Sequence, residues 1–269
     1  MKLLRKMKDD DINAVIALIN THDDDDAAEA EKDYRDVAGF YDQFVLEQDG
    51  MIIGVTGFKT PPGCDNTHWL SWTYIHSDHT NQGLGRKIIT ELIEHLTALD
   101  SRKLFIKVSD YVSAEDGAIY AAALHLYQSL GFSIDITHED FYDVGESQII
   151  LGMRLKPAPK NMAENITANT ATDEHKPLQF NSIYEIAETE DVYSFGWHDE
   201  GDQLFTAEDV QLGLDSAREE EARAVFLTFP SNYIGVNEVL LDVGFNQAGV
   251  LNNYYEEGVH EQHYSYKFN

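Results

Sequence analysis

The sequence has 269 residues and a formal net charge of −29 at pH 7, because it contains 48 acidic and only 19 basic residues. A chain this negative is a poor candidate for binding nucleic acid or an anionic membrane by general electrostatic attraction. Cys64 is the only cysteine, which excludes a disulfide framework and a cysteine metal site, and we expect no bound metal. Because the first residues lack the apolar run of a signal peptide or membrane span, we expect a cytoplasmic protein.

The first part of the chain predicts a strand, two helices and a hairpin. Apolar residues recur at helical spacing before an acidic run, residues 23–26, which we interpret as solvated. Asp49-Gly50 separates two strand-like segments, and this dipeptide is a strong signal for a tight hairpin turn. The predicted elements are a strand over 2–7, helices over 12–19 and 27–37, and two strands within 44–58.

The next stretch predicts a strand, a glycine turn and a helix. Residues 69–75 are aromatic and β-branched, as is typical of a strand, and Gly83 and Gly85 then open an amphipathic helix. The N-terminus of such a helix presents free N–H groups and favours a phosphate ligand. The stretch lacks the Gly-Lys-Ser/Thr of a nucleoside-triphosphate loop and the third glycine of the dinucleotide fingerprint. The alternative is a plain turn that uses glycine for tightness.

Basic residues are concentrated beside this turn. A local positive patch suits a polyphosphate ligand, although ordinary helix-surface charge explains it equally well. Five of the 19 basic residues lie here: Arg86, Lys87, Arg102, Lys103 and Lys107. The elements predicted beyond the turn are a strand over 103–109, a helix over 121–130 that ends at Gly131, and strands over 132–136 and 148–154.

Several motifs in this order resemble the GNAT acetyltransferase family. Residues 80–85, Thr-Asn-Gln-Gly-Leu-Gly, resemble its acyl-CoA loop, Arg/Gln-x-x-Gly-x-Gly/Ala, with Thr80 in place of the usual Arg or Gln. Residues 123–132 resemble its Ala-x-x-Leu-Tyr-x-x-x-Gly-Phe block. Residues 140–146 resemble a Phe-Tyr-x-x-Gly-Asp element of some members. Together with the predicted hairpin, these motifs extend the resemblance over about residues 1–155.

The resemblance implies an α/β fold with a mixed central sheet flanked by helices, and acetyl-CoA as the co-substrate. Backbone N–H groups of the loop would hold the pyrophosphate, and one near Tyr74 or Ile75 would stabilise the thioester oxygen. Tyr127 stands at the family position that protonates the leaving thiolate; the alternative is a half-buried structural tyrosine. The residues expected to bind the co-substrate are Tyr74, Ile75, Asn81, Gln82, Gly83, Leu84, Gly85, Arg86 and Lys87.

The sequence leaves the general base for the attacking amine open. Lys107 stands where some relatives carry a glutamate, a departure that removes one candidate. His76 and His79 flank the loop, and histidine exchanges protons near neutral pH, yet loop histidines are usually just solvated. Glu47, Asp110 and a chain of water molecules remain alternatives.

The second half repeats part of the first. Gly131-Phe132 matches Gly244-Phe245, and an aromatic pair follows the glycine by 10 residues in both copies. Ser71-Trp72 and Ser194-Phe195 are interpreted as the starts of equivalent central strands; coincidence between two α/β segments is the alternative. Residues 156–179, which hold three of the six prolines and no apolar periodicity, are predicted to be a linker. The predicted parts are a GNAT domain over 1–155, this linker, and a smaller C-terminal half-GNAT-like α/β domain over 180–269.

The second copy is expected to be degenerate. It has no glycine loop, and acidic residues such as Glu200 and Asp202 occupy the region of the phosphate cradle. Leu240 stands at the position of Tyr127 and cannot donate a proton. We therefore expect this part to bind no CoA and to pack on the first domain, giving a monomer with an internal pseudo-dimer or a homodimer.

These observations predict an acetyl-CoA-dependent N-acetyltransferase whose acceptor is a small amine, amino-acid-like or a polyamine. One alternative is a protein or peptide N-acetyltransferase, since a negative surface suits a basic peptide. Another is a non-catalytic acyl-CoA-binding or interaction protein, because Thr80 and Lys107 both depart from the family pattern. The acceptor itself is not predictable, since its contacts come from variable loops.

Overall fold

The computed structural model describes residues 3–36, 42–113, 117–118, 120–157, 178–198, 205–233 and 235–268. The helices are α1 (Ile12–Ile19), α2 (Asp24–Arg35), α3 (Leu84–Ala98), α4 (Ala121–Ser129), α5 (Ala207–Glu219) and α6 (Val236–Val243). The strands are β1 (Leu4–Lys6), β2 (Gln43–Gln48), β3 (Met51–Lys59), β4 (Thr67–Leu70), β5 (Tyr74–Ile75), β6 (Lys103–Ser109), β7 (Val112–Ser113), β8 (Gly117–Ala118), β9 (Ser133–Asp143), β10 (Glu146–Arg154), β11 (Gln179–Glu185), β12 (Val192–His198), β13 (Ala224–Pro230), β14 (Asn246–Glu256) and β15 (Val259–Lys267).

The chain divides into two compact units, and the division passes through β6, α4 and β10. The first unit comprises residues 1–106, 126–132 and 153–157, and the second comprises residues 107–125, 133–152 and 158–269. Most of the predicted linker, residues 158–177, lies outside the described residues, as do Glu200 and Asp202. In the part of the chain that is described, none of the helices combines the length and apolar character needed to cross a membrane.

The first unit contains a mixed sheet with helices on both faces. Its strands lie in the order β1-β2-β3-β4-β6, antiparallel except for the parallel pair β4–β6. Val45 packs with α1 and α2, whereas the neighbouring Phe44 contacts His95 of α3 at 5.1 Å between ring centroids. Because adjacent residues of a strand point to opposite faces, these helices cover the two sides of the sheet. The mixed α/β architecture expected from the sequence is confirmed.

The central strand is interrupted, which the sequence did not predict. The expected strand over 69–75 is divided into β4 and β5 by residues 71–73. β4 pairs with β6 as far as Trp69–Phe105, whereas β5 pairs only with β3. The aromatic and β-branched composition continues through the interruption, so that only the pairing partners reveal it.

The second helix also begins earlier than expected. The acidic run assigned to solvent is the first turn of α2, because the Asp23 carboxylate accepts a hydrogen bond of 2.9 Å from the Asp26 N–H and caps the helix. Acidic side chains are favourable at this end of a helix. Near this cap, the carboxylates of Asp23, Asp24 and Asp25 are exposed and lie within 4.8 Å of one another.

The second unit holds a five-stranded sheet in the order β11-β12-β13-β15-β14. Its hairpin β14–β15 repeats the hairpin β9–β10 with every strand boundary displaced by 113 residues. The side chain of Asp140 accepts the Gly145 N–H at 2.8 Å, and that of Asn253 accepts the Gly258 N–H at 2.9 Å. Both acceptors have a positive φ, 54° and 53°. The two hairpins are therefore equivalent down to the turn.

The match between the central strands is displaced by two residues from the one expected. Val192–Ala224 is the first residue pair between the parallel strands β12 and β13, and Thr67–Lys103 is the first pair between β4 and β6. The two pairs therefore correspond. Ser194 therefore corresponds to Trp69 and not to Ser71. A match of two residues is too short to align two strands, and the strand pairings provide the alignment that the sequence does not.

Equivalent positions of the two copies touch within the second unit. A Cβ added to Gly249 would lie 2.7 Å from Cγ1 of Ile136, its counterpart in the other copy. His138 stacks on Phe226 at 5.1 Å, and burial lowers the pKa of His138 to about 3, so its ring is neutral. Lys267 forms an ion pair of 2.5 Å with Asp140. A contact between equivalent positions is the arrangement that a two-fold axis produces.

Candidate active site

The glycine turn leaves the N-terminus of α3 open. Gly83 caps the helix with φ 71°, no side chain caps the helix, and its first turn contains no acidic residue. Asn81 also has a positive φ, 60°. Within the described part of the chain, no acceptor binds the backbone N–H groups of residues 81–86. A row of free N–H groups at the positive end of a 15-residue helix is suited to an anionic ligand.

The equivalent helix of the second copy is closed at the same end. The hydroxyl of Thr206 accepts the Asp209 N–H at 3.2 Å and caps α5. Glu208 and Asp209 lie in its first turn. Thr206 thus provides a hydrogen-bond acceptor for a backbone N–H of the first turn, and the two carboxylates add negative charge where α3 has none.

Strand β5 offers one backbone N–H to a ligand. The His76 N–H donates to the Ile53 carbonyl, and Tyr74 pairs with Val55. Since N–H groups alternate in direction along a strand, that of Tyr74 faces β3 and that of Ile75 points away from it. Ile75 is thus the better placed of the two expected oxyanion donors. The Tyr74 side chain packs with the core beneath α1 and α2, and its hydroxyl donates to Asp26.

Tyr127 is buried on α4, and its hydroxyl bonds to none of the residues that the structure describes. Its ring meets Phe132 edge to face at 6.0 Å between centroids. Burial raises the pKa of Tyr127 to about 12, so the phenol keeps its proton at neutral pH. The hydroxyl makes no hydrogen bond to any other described residue. A buried, protonated and unengaged phenol is equipped to donate a proton.

The helix that carries Tyr127 lies against the glycine turn. The side chain of Leu126 is 3.5 Å from where a Cβ on Gly85 would stand. Arg86 donates to the Ser129 hydroxyl at 2.5 Å, so its exposed guanidinium is partly engaged by α4. Lys87 is exposed and begins the helical ladder by donating its N–H to Gly83 at 3.2 Å. The structure thus brings the predicted loop and the predicted proton donor together.

The expected bases are mostly engaged elsewhere. Nδ1 of His76 accepts the Asp78 N–H at 3.2 Å, which occupies its lone pair. Glu47 forms an ion pair of 2.7 Å with Arg5. In the second unit, Asp110 accepts the Ser147 N–H at 2.6 Å, and Lys107 is exposed on β6.

Comparison with known families relates the residues of this site to one of them. Residues 40–134 match the model of the acetyltransferase (GNAT) domain. This part of the chain is similar to that domain. The matched range spans all ten residues expected from the sequence, from Tyr74 through the loop to Tyr127, and ends before the second copy.

Individual relatives agree with this GNAT assignment. The L-amino acid N-acyltransferase MnaT of Escherichia coli (strain K12) is 35% identical over 102 residues, which are 37% of this chain and 54% of that protein. The match therefore spans about half the length of this curated relative. A crystal structure of a GNAT-family protein from Desulfovibrio desulfuricans aligns with 57% of this chain and 98% of its own, at 19% identity and a TM-score of 0.51. That likeness shows the fold.

A further structural neighbour is more distant. The ribosomal-protein-S18-alanine N-acetyltransferase from Escherichia coli aligns with 60% of this chain and 99% of its own, at 23% identity and a TM-score of 0.47.

One residue near the candidate site is not predictable from the sequence. Nε2 of His22 lies 2.6 Å from the carbonyl oxygen of Ile75. The two residues are 53 positions apart, and no local pattern around His22 distinguishes it from a solvated turn residue.

Proposed function

We propose that the chain is an acetyl-CoA-dependent N-acetyltransferase that acts on a small amine, amino-acid-like or a polyamine, in the cytoplasm. The GNAT domain supports the transferase class, and the amino-acid acyltransferase among its relatives supports the acceptor class. The observation that carries the proposal is the open N-terminus of α3, held against the helix of Tyr127. These two features support the proposal that a phosphate cradle and a proton donor belong to one site.

The described residues fit acetyl-CoA as co-substrate. The N–H groups of residues 81–86 have no acceptor in the described chain, and Lys87 adds an exposed cation beside them. A pyrophosphate supplies the acceptors and the negative charge that this arrangement lacks. We infer that this cradle holds the pyrophosphate and that Arg86, bound to Ser129, fixes the helix beside it.

Three groups of the chain would act on the acyl transfer. Bound acetyl-CoA supplies a thioester whose carbonyl oxygen gains negative charge when the amine attacks. The Ile75 N–H, which points away from β3, would stabilise that charge. The Tyr127 hydroxyl, which keeps its proton at neutral pH because its pKa is near 12, would then donate that proton to the departing thiolate.

We further propose that residues 1–155 are the catalytic domain, 156–179 a linker, and 180–269 a degenerate half-domain without a CoA site. The pairing of β12 with β13 ends at Tyr193, just as the pairing of β4 with β6 ends at Trp69 in the first copy. Aromatic rings of the two diverging strands then meet: Trp197 contacts Phe229 at 5.8 Å, and Phe205 contacts both within 5.6 Å. A cleft filled in this way has no room for a cofactor.

The half-domain would take the place that a second subunit has in a dimer. Ile136 and Gly249 occupy equivalent positions and are in contact, which supports such an internal pseudo-dimer. In this arrangement, a surface suited to a two-fold dimer is covered by the same chain. We therefore propose that the protein is a monomer.

Gly249→Ala tests this contact. The added methyl would stand 2.7 to 3.0 Å from three atoms of Ile136, a β-branched side chain that cannot swing away, so stability should fall by about 1–3 kcal/mol. Urea unfolding measures the change. The same substitution in an Ile136→Ala background should cost clearly less, since the clash is gone. An equal cost in both backgrounds would show that the two positions do not touch.

Turnover over a panel of acceptors tests the function itself. Release of free CoA from acetyl-CoA should depend on a small primary amine, with amino acids and polyamines as the first candidates. Turnover only with peptides would favour the protein-acetyltransferase alternative. Tight CoA binding without turnover on any amine would favour a non-catalytic binding protein.

A further inference from the structure

The turn after α1 is fixed on the end of strand β5 by two contacts. Nε2 of His22 lies 2.6 Å from the Ile75 carbonyl oxygen, and the Thr21 hydroxyl accepts the Ser77 N–H at 3.1 Å. The Ile75 carbonyl points to the same side of the strand as its N–H, away from β3. His22 therefore stands on the side of β5 where the proposed oxyanion donor acts.

This contact determines which nitrogen of His22 carries a proton. A carbonyl oxygen can only accept, so Nε2 must be the donor at 2.6 Å. In the neutral imidazole the lone pair then lies on Nδ1. His22 is exposed, and Nδ1 contacts no other group in the described chain. The ring thus presents a free proton acceptor to solvent beside Ile75.

The Tyr74 ring and the acidic N-terminal turn of α2 adjoin His22. The Tyr74 ring lies 5.6 Å from that of His22, and its hydroxyl donates to Asp26. Burial raises the pKa of Asp26, and the neighbouring carboxylates of Asp23 and Asp25 raise it further. Charged and titratable groups on the adjoining elements are Asp23 to Asp26, which follow His22 in the chain, Tyr74 on β5, and His76 and Asp78 on either side of Ser77, which Thr21 contacts.

We propose that His22 is the general base of the reaction. The assignment rests on the proposed N-acetyltransferase function. Nδ1 takes a proton from the acceptor's ammonium group, so that an N–H bond of the amine breaks and an Nδ1–H bond forms. The freed lone pair forms the new C–N bond, the C–S bond breaks, and the thiolate takes its proton from Tyr127. The imidazolium returns its proton to water, to which it is exposed.

His22→Gln separates this role from a structural one. The amide nitrogen of glutamine can reach and donate to the Ile75 carbonyl as Nε2 does, but the side chain cannot take up a proton near neutral pH. We expect turnover at pH 7 to fall roughly 100-fold or more while CoA affinity is unchanged. The deficit should shrink as the pH approaches about 10, because an alkylamine of pKa near 10.4 then loses its proton in solution. His125→Gln, on the exposed surface of α4, is the matched control and should behave as wild type.

The outcomes are distinct from those that test the function. Wild-type turnover with an amine decides whether the chain is an N-acetyltransferase. Given such turnover, a deficit that shrinks with pH supports the base. A deficit that is constant with pH, or none, shows that His22 only holds the turn in place and overturns the proposal. A changed CoA affinity with normal turnover also overturns it, since the ring would then compete with the cofactor for the edge of β5.

Discussion

Replacing Gly83 by valine should weaken CoA binding roughly 10- to 1000-fold while the chain remains folded. Gly83 has φ 71°, which a β-branched residue adopts only with strain. No atom lies within 4 Å of the position of the added Cβ, so the valine would stand in the open space at the helix terminus. Losing one or two charge-assisted hydrogen bonds at about 1.5–2 kcal/mol each, the lower part of their usual range, accounts for these values. Calorimetric titration with CoA measures it.

Gly63→Val is a matched control for the backbone strain. Gly63 has φ 73°, and no atom lies within 4 Å of its added Cβ either, but it lies in the connection between β3 and β4. Both substitutions should lower the thermal midpoint by similar amounts. Only the change at Gly83 should affect CoA. Normal affinity in a folded Gly83→Val variant would show that this turn does not hold the cofactor.

Tyr127→Phe should lower turnover roughly 10- to 1000-fold with little change in stability or CoA affinity. The hydroxyl bonds to no other described residue, and the ring packs on Phe132, so phenylalanine keeps the packing and removes only the proton donor. Stopped-flow or steady-state rates in a regime limited by chemistry measure the change. Tyr184→Phe, on an exposed side chain, is the control and should leave the rate unchanged.

The pH dependence of the Tyr127→Phe deficit distinguishes it from that of His22. Because the pKa of Tyr127 is raised to about 12, the phenol is protonated at every pH below about 10. The deficit should therefore stay constant between about pH 6 and 10, whereas the deficit of His22→Gln should shrink. Unchanged turnover in Tyr127→Phe would assign the residue to packing alone.

Elements with strong local preferences were predictable from the sequence. The hairpin turn uses Asp49 and Gly50, with φ 52° and 81°, and these two residue types tolerate that conformation best. Gly131, with φ 102°, ends α4 as expected. The strand β6, residues 103–109, has the predicted bounds because its apolar run has clear limits on both sides.

Features that depend on distant partners were not predictable. The interruption at residues 71–73 arises because β4 and β5 have different neighbours, while their composition is uniform. The contact between His22 and Ile75 joins an ordinary turn to a strand 53 residues away. The contact between Trp197 and Phe229 likewise joins two separate strands.

The similarity between the two parts of the chain was only partly predictable from the sequence. Glycines and aromatic pairs at equal spacings gave the offset of the hairpin, and the structure has the same offset in every strand boundary of β9–β10 and β14–β15. The central strands lack such markers, and their match was wrong by two residues.

The number of CoA molecules that the full chain binds tests the central claim most directly. The account places one acyl-CoA site at the open N-terminus of α3 and none at the capped N-terminus of α5. Calorimetric titration should therefore give one CoA per wild-type chain, and that single site should be roughly 10- to 1000-fold weaker in Gly83→Val. Two sites per chain, or one site that persists unchanged in that variant, would contradict the account.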